Sequence, residues 1–279
     1  MPLAIKSRKA KQRNSSGDPE EFRMPLAEHI GELRDRLIRS VLAICLGWAF
    51  GWFAQPWIYN HLNSVFLASV EAFQKTHPAF DWREVWHTTT EPFMFRFRTS
   101  FMIGLGVALP FIVLQIWGFV SPGLKSNERK PIKALAPASV VLFFMGCLFC
   151  WWILPLTFRW FLSYAEDYPQ IGVYQEAGSM VMFILKMMFA FGLGFQLPLV
   201  VFIAGRIGII GPDTLVHYWR HAVVFVFVTT AILTPSGDIF SMLMMAVPVS
   251  ILLGISIFLV KVTSKRSRGE HDAVLDDLD

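Results

Sequence analysis

The sequence predicts an all-α polytopic membrane protein with six transmembrane helices and both termini cytoplasmic. Three observations carry that reading. Across 279 residues the chain is 54% hydrophobic and 16% charged, with 26 Phe, 10 Trp and a mean hydropathy of +0.48, more apolar side chain than a soluble core absorbs. Apolar runs long enough to cross a hydrocarbon core recur between short polar segments. Lys and Arg collect in alternate segments, so the net charge of +4 reads as a topology signal rather than a nucleic-acid footprint.

Residues 1–23 are polar and basic, with Lys6, Arg8, Lys9, Lys11 and Arg13, and hold no apolar run of the kind a cleavable signal peptide requires; they are expected to form a disordered basic cytoplasmic tail. Residues 24–39 read as an amphipathic helix. Pro25 suits a first turn, and Leu26, Ile30, Leu33 and Leu37 draw one apolar stripe opposite Glu28, Glu32, Asp35, Arg36 and Arg39. Arg34 falls between the two faces. Glu32 with Arg36, and Asp35 with Arg39, stand at i,i+4, where an exposed pair contributes about 0.3–0.5 kcal/mol.

The first span is expected over residues 37–58, with Trp48, Trp52 and Trp57 crowding its far half like an interfacial belt. Residues 59–92 are expected to be a sizeable outer loop. Its His61, His77 and His87 are spaced by sixteen and ten, which matches no metal-ligand motif. The second span covers 93–120, with a kink expected at Pro110; Arg96 and Arg98 near its start either snorkel or pair with Glu91. Residues 121–134 form an inner loop with a Pro-Gly turn followed by Glu128, Arg129, Lys130 and Lys133.

The third span, 135–162, carries Cys147 and Cys150 in an apolar setting that disfavours thiolates, so neither redox nor metal chemistry is expected there. Residues 163–178 form a second outer loop. The fourth span, 179–204, contains Lys186 in its outer third and Gln196-Leu197-Pro198 toward its inner half. Pro198 frees a carbonyl one turn earlier, and an amide in lipid is costly without a partner. After an inner loop over 206–220, the apolar run 222–233 covers only about 18 Å at about 1.5 Å per residue. So short a span would thin the bilayer around it by hydrophobic mismatch. A tight turn over 234–238 leads to a sixth span at 239–260, interrupted by Pro248. Lys261, Lys265, Arg266 and Arg268 close that span, and 263–279 form a cytoplasmic C-terminal tail.

Nineteen of the 25 Lys and Arg fall in the inner segments and two, Lys75 and Arg83, in the outer loops. The positive-inside rule therefore places the amphipathic helix and the Glu128 loop on the same, cytoplasmic face.

On these residues the chain resembles the TatC family, the core of the twin-arginine protein translocase. The H-x-x-E-L-R-x-R-L pattern from His29 through Glu32, Arg34 and Arg36 to Leu37 is similar to the family's opening motif. Collinear matches follow at Phe97-Arg98, at W-x-F-V-x-P-G-L-x-x-x-E-R from Trp117 to Arg129, at Phe143 to Gly146, and at A-F-G-x-x-F-Q-L-P from Ala190 to Pro198. A T-P turn followed by Asp238 completes the series, one residue longer than the family's T-P-P-D. Together the matches extend over about residues 24–250.

The resemblance implies a cupped six-helix domain over 24–262 in the bacterial cytoplasmic (inner) membrane, without catalytic residues, metal or cofactor. It implies a receptor for twin-arginine signal peptides of folded cargo, assembled with TatA- and TatB-like single-span subunits into an oligomeric complex for proton-motive-force-driven export. Glu32 and Glu128 match the family's recognition carboxylates, and Arg34 and Arg129 are expected to orient them. A guanidinium offers carboxylates a planar fork that lysine does not. Gln196 matches a Glu or Gln position facing the membrane cavity, or else serves as interhelical glue of about 0.6 kcal/mol. Thr229, Thr230 and Asp238 are candidate contacts for a partner helix, with capping or back-bonded hydroxyls as the competing reading.

A proton-coupled small-molecule transporter is the rival class. It calls for mid-membrane ionisable groups and a repeat relating the two halves, yet only Lys186 and Gln196 stand there and no repeat is visible. An intramembrane enzyme would need H-E-x-x-H or G-x-S-x-G, and neither occurs.

Overall fold

The computed structural model describes residues 26–120, 126–168, 172–206 and 210–276, with side chains at 30–119, 137–168, 172–206 and 210–262 except Pro212. The tail over 1–23 lies outside them. Among the described residues, eight α-helices and two short strands follow in the order α1 (Leu26–Thr76), β1 (Trp82–Val85), α2 (Glu91–Val120), α3 (Ser126–Ser163), β2 (Val173–Glu176), α4 (Ser179–Gly194), α5 (Leu197–Arg206), α6 (Pro212–His217), α7 (Trp219–Leu233) and α8 (Ile239–Asp276). Five segments are long and apolar enough to span a membrane, α4 and α5 together making one of them; α7 is the shorter apolar sixth.

Two stretches read as loops are helical. α1 does not stop at residue 58 but runs on to Thr76, because Leu62, Phe66 and Val70 keep a four-residue period and no Pro or Gly falls between Pro56 and Pro78. All three are buried, and Phe66 meets Phe158 of α3 edge-on at 5.0 Å between ring centroids. The remainder of that expected loop contributes β1. This strand pairs in parallel with β2, Trp82 opposite Val173 and Val85 opposite Glu176, so the segments after α1 and after α3 are stitched together. α3 likewise begins at Ser126 instead of residue 135, which puts Glu128 and Arg129 on its first turn, where the helix dipole favours a carboxylate.

Lipid tails are as apolar as leucine, so helices in a bilayer gain little from burying apolar surface and associate by close packing. α1 and α2 follow that rule. A Cβ on Gly47 would stand 2.5 Å from the carbonyl oxygen of Gly104, and one on Gly51 would overlap that of Ser100. The four-residue spacings Gly47 to Gly51 and Ser100 to Gly104 therefore let the two backbones touch. Arg96 adds a polar tie. Its guanidinium lies 4.8 Å from the Trp52 ring centroid and donates to the Trp52 carbonyl at 3.4 Å, whereas Glu91 accepts from the His87 amide at 2.6 Å. The Arg96–Glu91 pair considered from sequence is replaced by this contact.

The main core lies where the distal half of α1 meets α3, α4 and α8, with Leu154, Phe158, Ile184, Met187, Phe191 and Met245 fully buried. Phe53, Trp152 and Ile232 are 76–80% exposed and belong to the lipid-facing shell. The fourth span breaks at Phe195-Gln196. Pro198 cannot donate to Gly194, and the Gln196 amide bonds back only three residues, to Leu193 at 2.9 Å, before α5 resumes.

Candidate functional site

At the amino-terminal end of the bundle, Glu32 and Arg36 stand one turn apart on α1. Glu32 Oε1 accepts two hydrogen bonds from Arg36, from Nε at 3.1 Å and, closer still, from Nη2. Both side chains are about three-quarters buried. The Arg36 guanidinium lies across Gly118, two residues before the end of α2, where a Cβ would collide with it. Glu32 Oε2 is buried and has no hydrogen-bond partner among the described residues. The carboxylate thus has one oxygen held by a fixed fork and the other open to a further donor.

Arg36, not Arg34, makes this contact. Residues four apart share a helix face, while residues two apart point to nearly opposite sides, and Arg34 is accordingly exposed. The orienting contact expected of Arg34 is thus absent on Glu32. Arg36 over Gly118 also brings the start of α1 beside the end of α2, and α3 starts six residues after Val120. Glu128 and Arg129 are therefore on the helix that begins at this same end, their side chains lying outside the described ones.

The other singled-out residues are dispersed. Gln196, at the break between α4 and α5, donates from Nε2 to the Ser139 carbonyl of α3 at 2.9 Å, and its Oε1 has no partner among the described residues. Lys186 is exposed on α4, where its stem can carry the ammonium toward an interface. Thr230 is fully buried and donates to Phe227, and Thr229 donates to Phe225 at 2.8 Å. Both hydroxyls are therefore back-bonded within α7, and only Thr229 of the two reaches the surface. Asp238 caps α8, accepting from the Ser241 amide at 2.7 Å, with Gly237 at φ 61° turning the chain into that cap.

Two features of the opposite end escaped the sequence reading. Glu84 on β1 accepts hydrogen bonds from the Tyr59 side chain and the Gly178 backbone, yet burial outweighs both and raises its pKa above the ordinary 4.5. His61 is sandwiched between Trp57 and Trp151, with centroids at 5.8 and 5.2 Å and planes within 5° of parallel. The four-residue spacing of Trp57 and His61 was a visible signal for half of that stack. Its other half comes from α3.

Comparison with known proteins agrees with this arrangement. The family model described as Sec-independent protein translocase protein (TatC) matches residues 28–248. The Sec-independent protein translocase protein TatC of Aquifex aeolicus (strain VF5) is 31% identical over 246 residues, covering 88% of this chain and 98% of its own. That of Carboxydothermus hydrogenoformans is 34% identical over 259 residues, covering 90% and 99%. A crystal structure of the twin arginine translocase receptor TatC superposes with a TM-score of 0.69 at 30% identity, over 85% of this chain and 99% of that one. The family match takes in Glu32, Gln196 and Asp238, and this chain belongs to the TatC family.

Proposed function

We propose that this chain is the receptor and core subunit of a twin-arginine protein translocase, with Glu32 and Glu128 binding the paired arginines of signal peptides. The observation that carries the reading is Glu32 Oε2, a buried carboxylate oxygen without a partner among the described residues, beside one held by Arg36. An arriving guanidinium can occupy the free oxygen while Arg36 keeps the other in place. Charge-assisted hydrogen bonds contribute about 1.5–3 kcal/mol each. A few of them approach the roughly 8 kcal/mol of micromolar binding once the apolar segment of the signal peptide adds its share.

Residues 24–262 form the body in the bacterial cytoplasmic membrane, with the basic 1–23 tail and the 263–279 tail in the cytoplasm. The positive-inside distribution supports that orientation. TatA- and TatB-like single-span subunits join the chain in an oligomeric complex, with Thr229 and Asp238 near the α7–α8 turn as their contacts. Gln196 offers a carbonyl oxygen that has no partner among the described residues, inside the membrane-embedded part, to the cargo segment that follows the arginines.

The test places a photo-crosslinker beside Glu32 and Glu128 in native membranes and offers a signal peptide with Arg-Arg or Lys-Lys. Crosslinking that requires Arg-Arg and disappears in Glu32→Ala and Glu128→Ala is expected. Equal crosslinking to Lys-Lys would reduce both carboxylates to a solvated helix face.

A further inference from the structure

α7 and α8 enclose an apolar groove of about 630 Å³ that runs from Phe227 and Val247 past Gly254 and Phe258 to Lys261. At the Lys261 end it opens into a second recess of about 630 Å³, lined by Asp213, His217, Arg220 and His221. Val216, Trp219 and Lys261 line both, so the two are continuous. Among the described residues, an apolar slot thus ends in a mouth with two permanent cations, two imidazoles and one carboxylate. Trp219 sits at the junction, where an amphipathic ring is favoured, and the Arg220 guanidinium lies 5.8 Å from its centroid.

We propose that this continuous groove binds one anionic phospholipid, with an acyl chain along α7 and α8 and its phosphate held by Arg220 and Lys261. Three properties select that occupant. The polarity changes once along the groove, as it does along a single lipid. The net charge of the mouth is positive, which favours a headgroup with net negative charge over a zwitterionic one, and basic recesses between helices at a membrane surface hold such headgroups. The short α7 supplies the third. Its fifteen residues reach only about 22 Å, so headgroups are drawn inward toward Trp219 and Arg220 at its start. A lipid fixed there would seal the thinned region that the short helix creates. The positive end of the α7 dipole faces the same mouth.

Gly254 provides a clean probe of the slot, because a Cβ built there meets nothing within 4 Å. The full-length chain, purified in detergent and delipidated, is titrated with phosphatidylglycerol, with phosphatidylethanolamine of the same acyl chains, and with inorganic phosphate. Bound lipid is counted by native mass spectrometry. Phosphatidylglycerol should bind as a single retained lipid, with phosphatidylethanolamine weaker and phosphate alone not retained. Arg220→Gln and Lys261→Gln should each weaken phosphatidylglycerol about fivefold, and about thirtyfold together. Gly254→Phe should weaken both lipids by filling the slot, with an unchanged melting profile showing that the fold is intact.

Equal binding of the two lipids, or phosphatidylglycerol retention unchanged in the double variant, overturns the proposal. So does a Gly254→Phe chain that keeps the lipid but no longer co-purifies with a single-span subunit, which would assign the groove to a partner helix. None of these readouts depends on signal-peptide binding, so the receptor reading and the lipid site can fail separately.

Discussion

Arg36 grips a single oxygen of Glu32 and rests its guanidinium on Gly118, so that a glycine on α2 sets the position of a carboxylate on α1. The three residues act as one unit. Gly118→Ala would push the guanidinium off its seat and release Glu32 without touching either charged residue. We expect Gly118→Ala to weaken binding of an Arg-Arg signal peptide about tenfold, as loss of one charge-assisted contact does. Arg36→Ala should do the same, and the double variant should be no worse than either single one. Additive losses in that cycle would show that Gly118 and Arg36 act independently.

Gly104 and Gly106 lie two residues apart on α2 in opposite environments. A Cβ on Gly104 would enter the backbone of Gly47 and Trp48, whereas one on Gly106 meets nothing. Backbone cannot yield as a side-chain tip can. Gly104→Ala should therefore cost about 1–3 kcal/mol as an overpacking change, and Gly106→Ala should stay within about 0.5 kcal/mol. Thermal unfolding in one detergent compares them directly. Equal melting temperatures would mean that α1 and α2 can separate freely.

How far this could be read from sequence depends on the kind of fact. Span number and the short fifth span come from long apolar runs, which are local properties of the chain; Pro198 marked a freed carbonyl in the fourth span, but the break at Phe195-Gln196 was not read from it. The extension of α1 to Thr76 was missed because an apolar run measured against bilayer thickness stops at about twenty residues, while the period of Leu62, Phe66 and Val70 continues past that length among His61, Asn63 and Ser64. Glu32 was legible as a motif residue and Arg36 as its i,i+4 partner, but as an exposed pair; that both side chains are about three-quarters buried, with Arg36 resting on Gly118, was not legible, because it depends on the helix opposite. Gly118 carried no sequence signal of its own. A glycine records that something approaches closely, without saying what. The same holds for Gly47 and Gly104, whose meaning lies in the helix opposite. The stripe of Ile30, Leu33 and Leu37 was read correctly as apolar, but all three remain exposed, so it faces surroundings other than this chain.

Gln196 spends its amide nitrogen on Ser139, and its carbonyl oxygen has no partner among the described residues. If that oxygen serves cargo, stability and transport should respond differently to its removal. Gln196→Leu should cost about 0.6 kcal/mol, the mean for an interhelical hydrogen bond in a bilayer, and so shift the melting temperature by about 1–2 °C. Export of a folded reporter should fall by a larger factor than that loss explains. A melting shift above about 5 °C, with export falling in proportion to the folded protein, would make Gln196 a structural tie.

Ala222 to Leu233 should lie under a thinned bilayer, since α7 cannot span an undistorted one. Lipid depth probes read from single cysteines along α7 and α8 should report a smaller hydrocarbon thickness beside α7. Equal thickness along the two helices would remove mismatch from the mechanism.

Glu84 should give the protein a pH dependence of a definite sign. Burial raises its pKa in the folded state above 4.5, and the hydrogen bonds from Gly178 and Tyr59 only partly offset this. Between the unfolded and folded values the native chain therefore holds more protons than the unfolded one, and stability falls as pH rises through that window. Below the ordinary carboxylate value both states are protonated, and the penalty for burying the charge vanishes. Gln offers the same carbonyl acceptor to Gly178 and Tyr59 without a charge. Glu84→Gln should therefore match the parent chain in melting temperature well below the ordinary carboxylate value and exceed it increasingly as pH rises through the window up to the raised pKa, above which the difference levels off. A constant difference at every pH would mean that Glu84 contributes through packing alone. A variant less stable at neutral pH would mean that the charged carboxylate, held by Tyr59 and Gly178, is the form that the fold prefers.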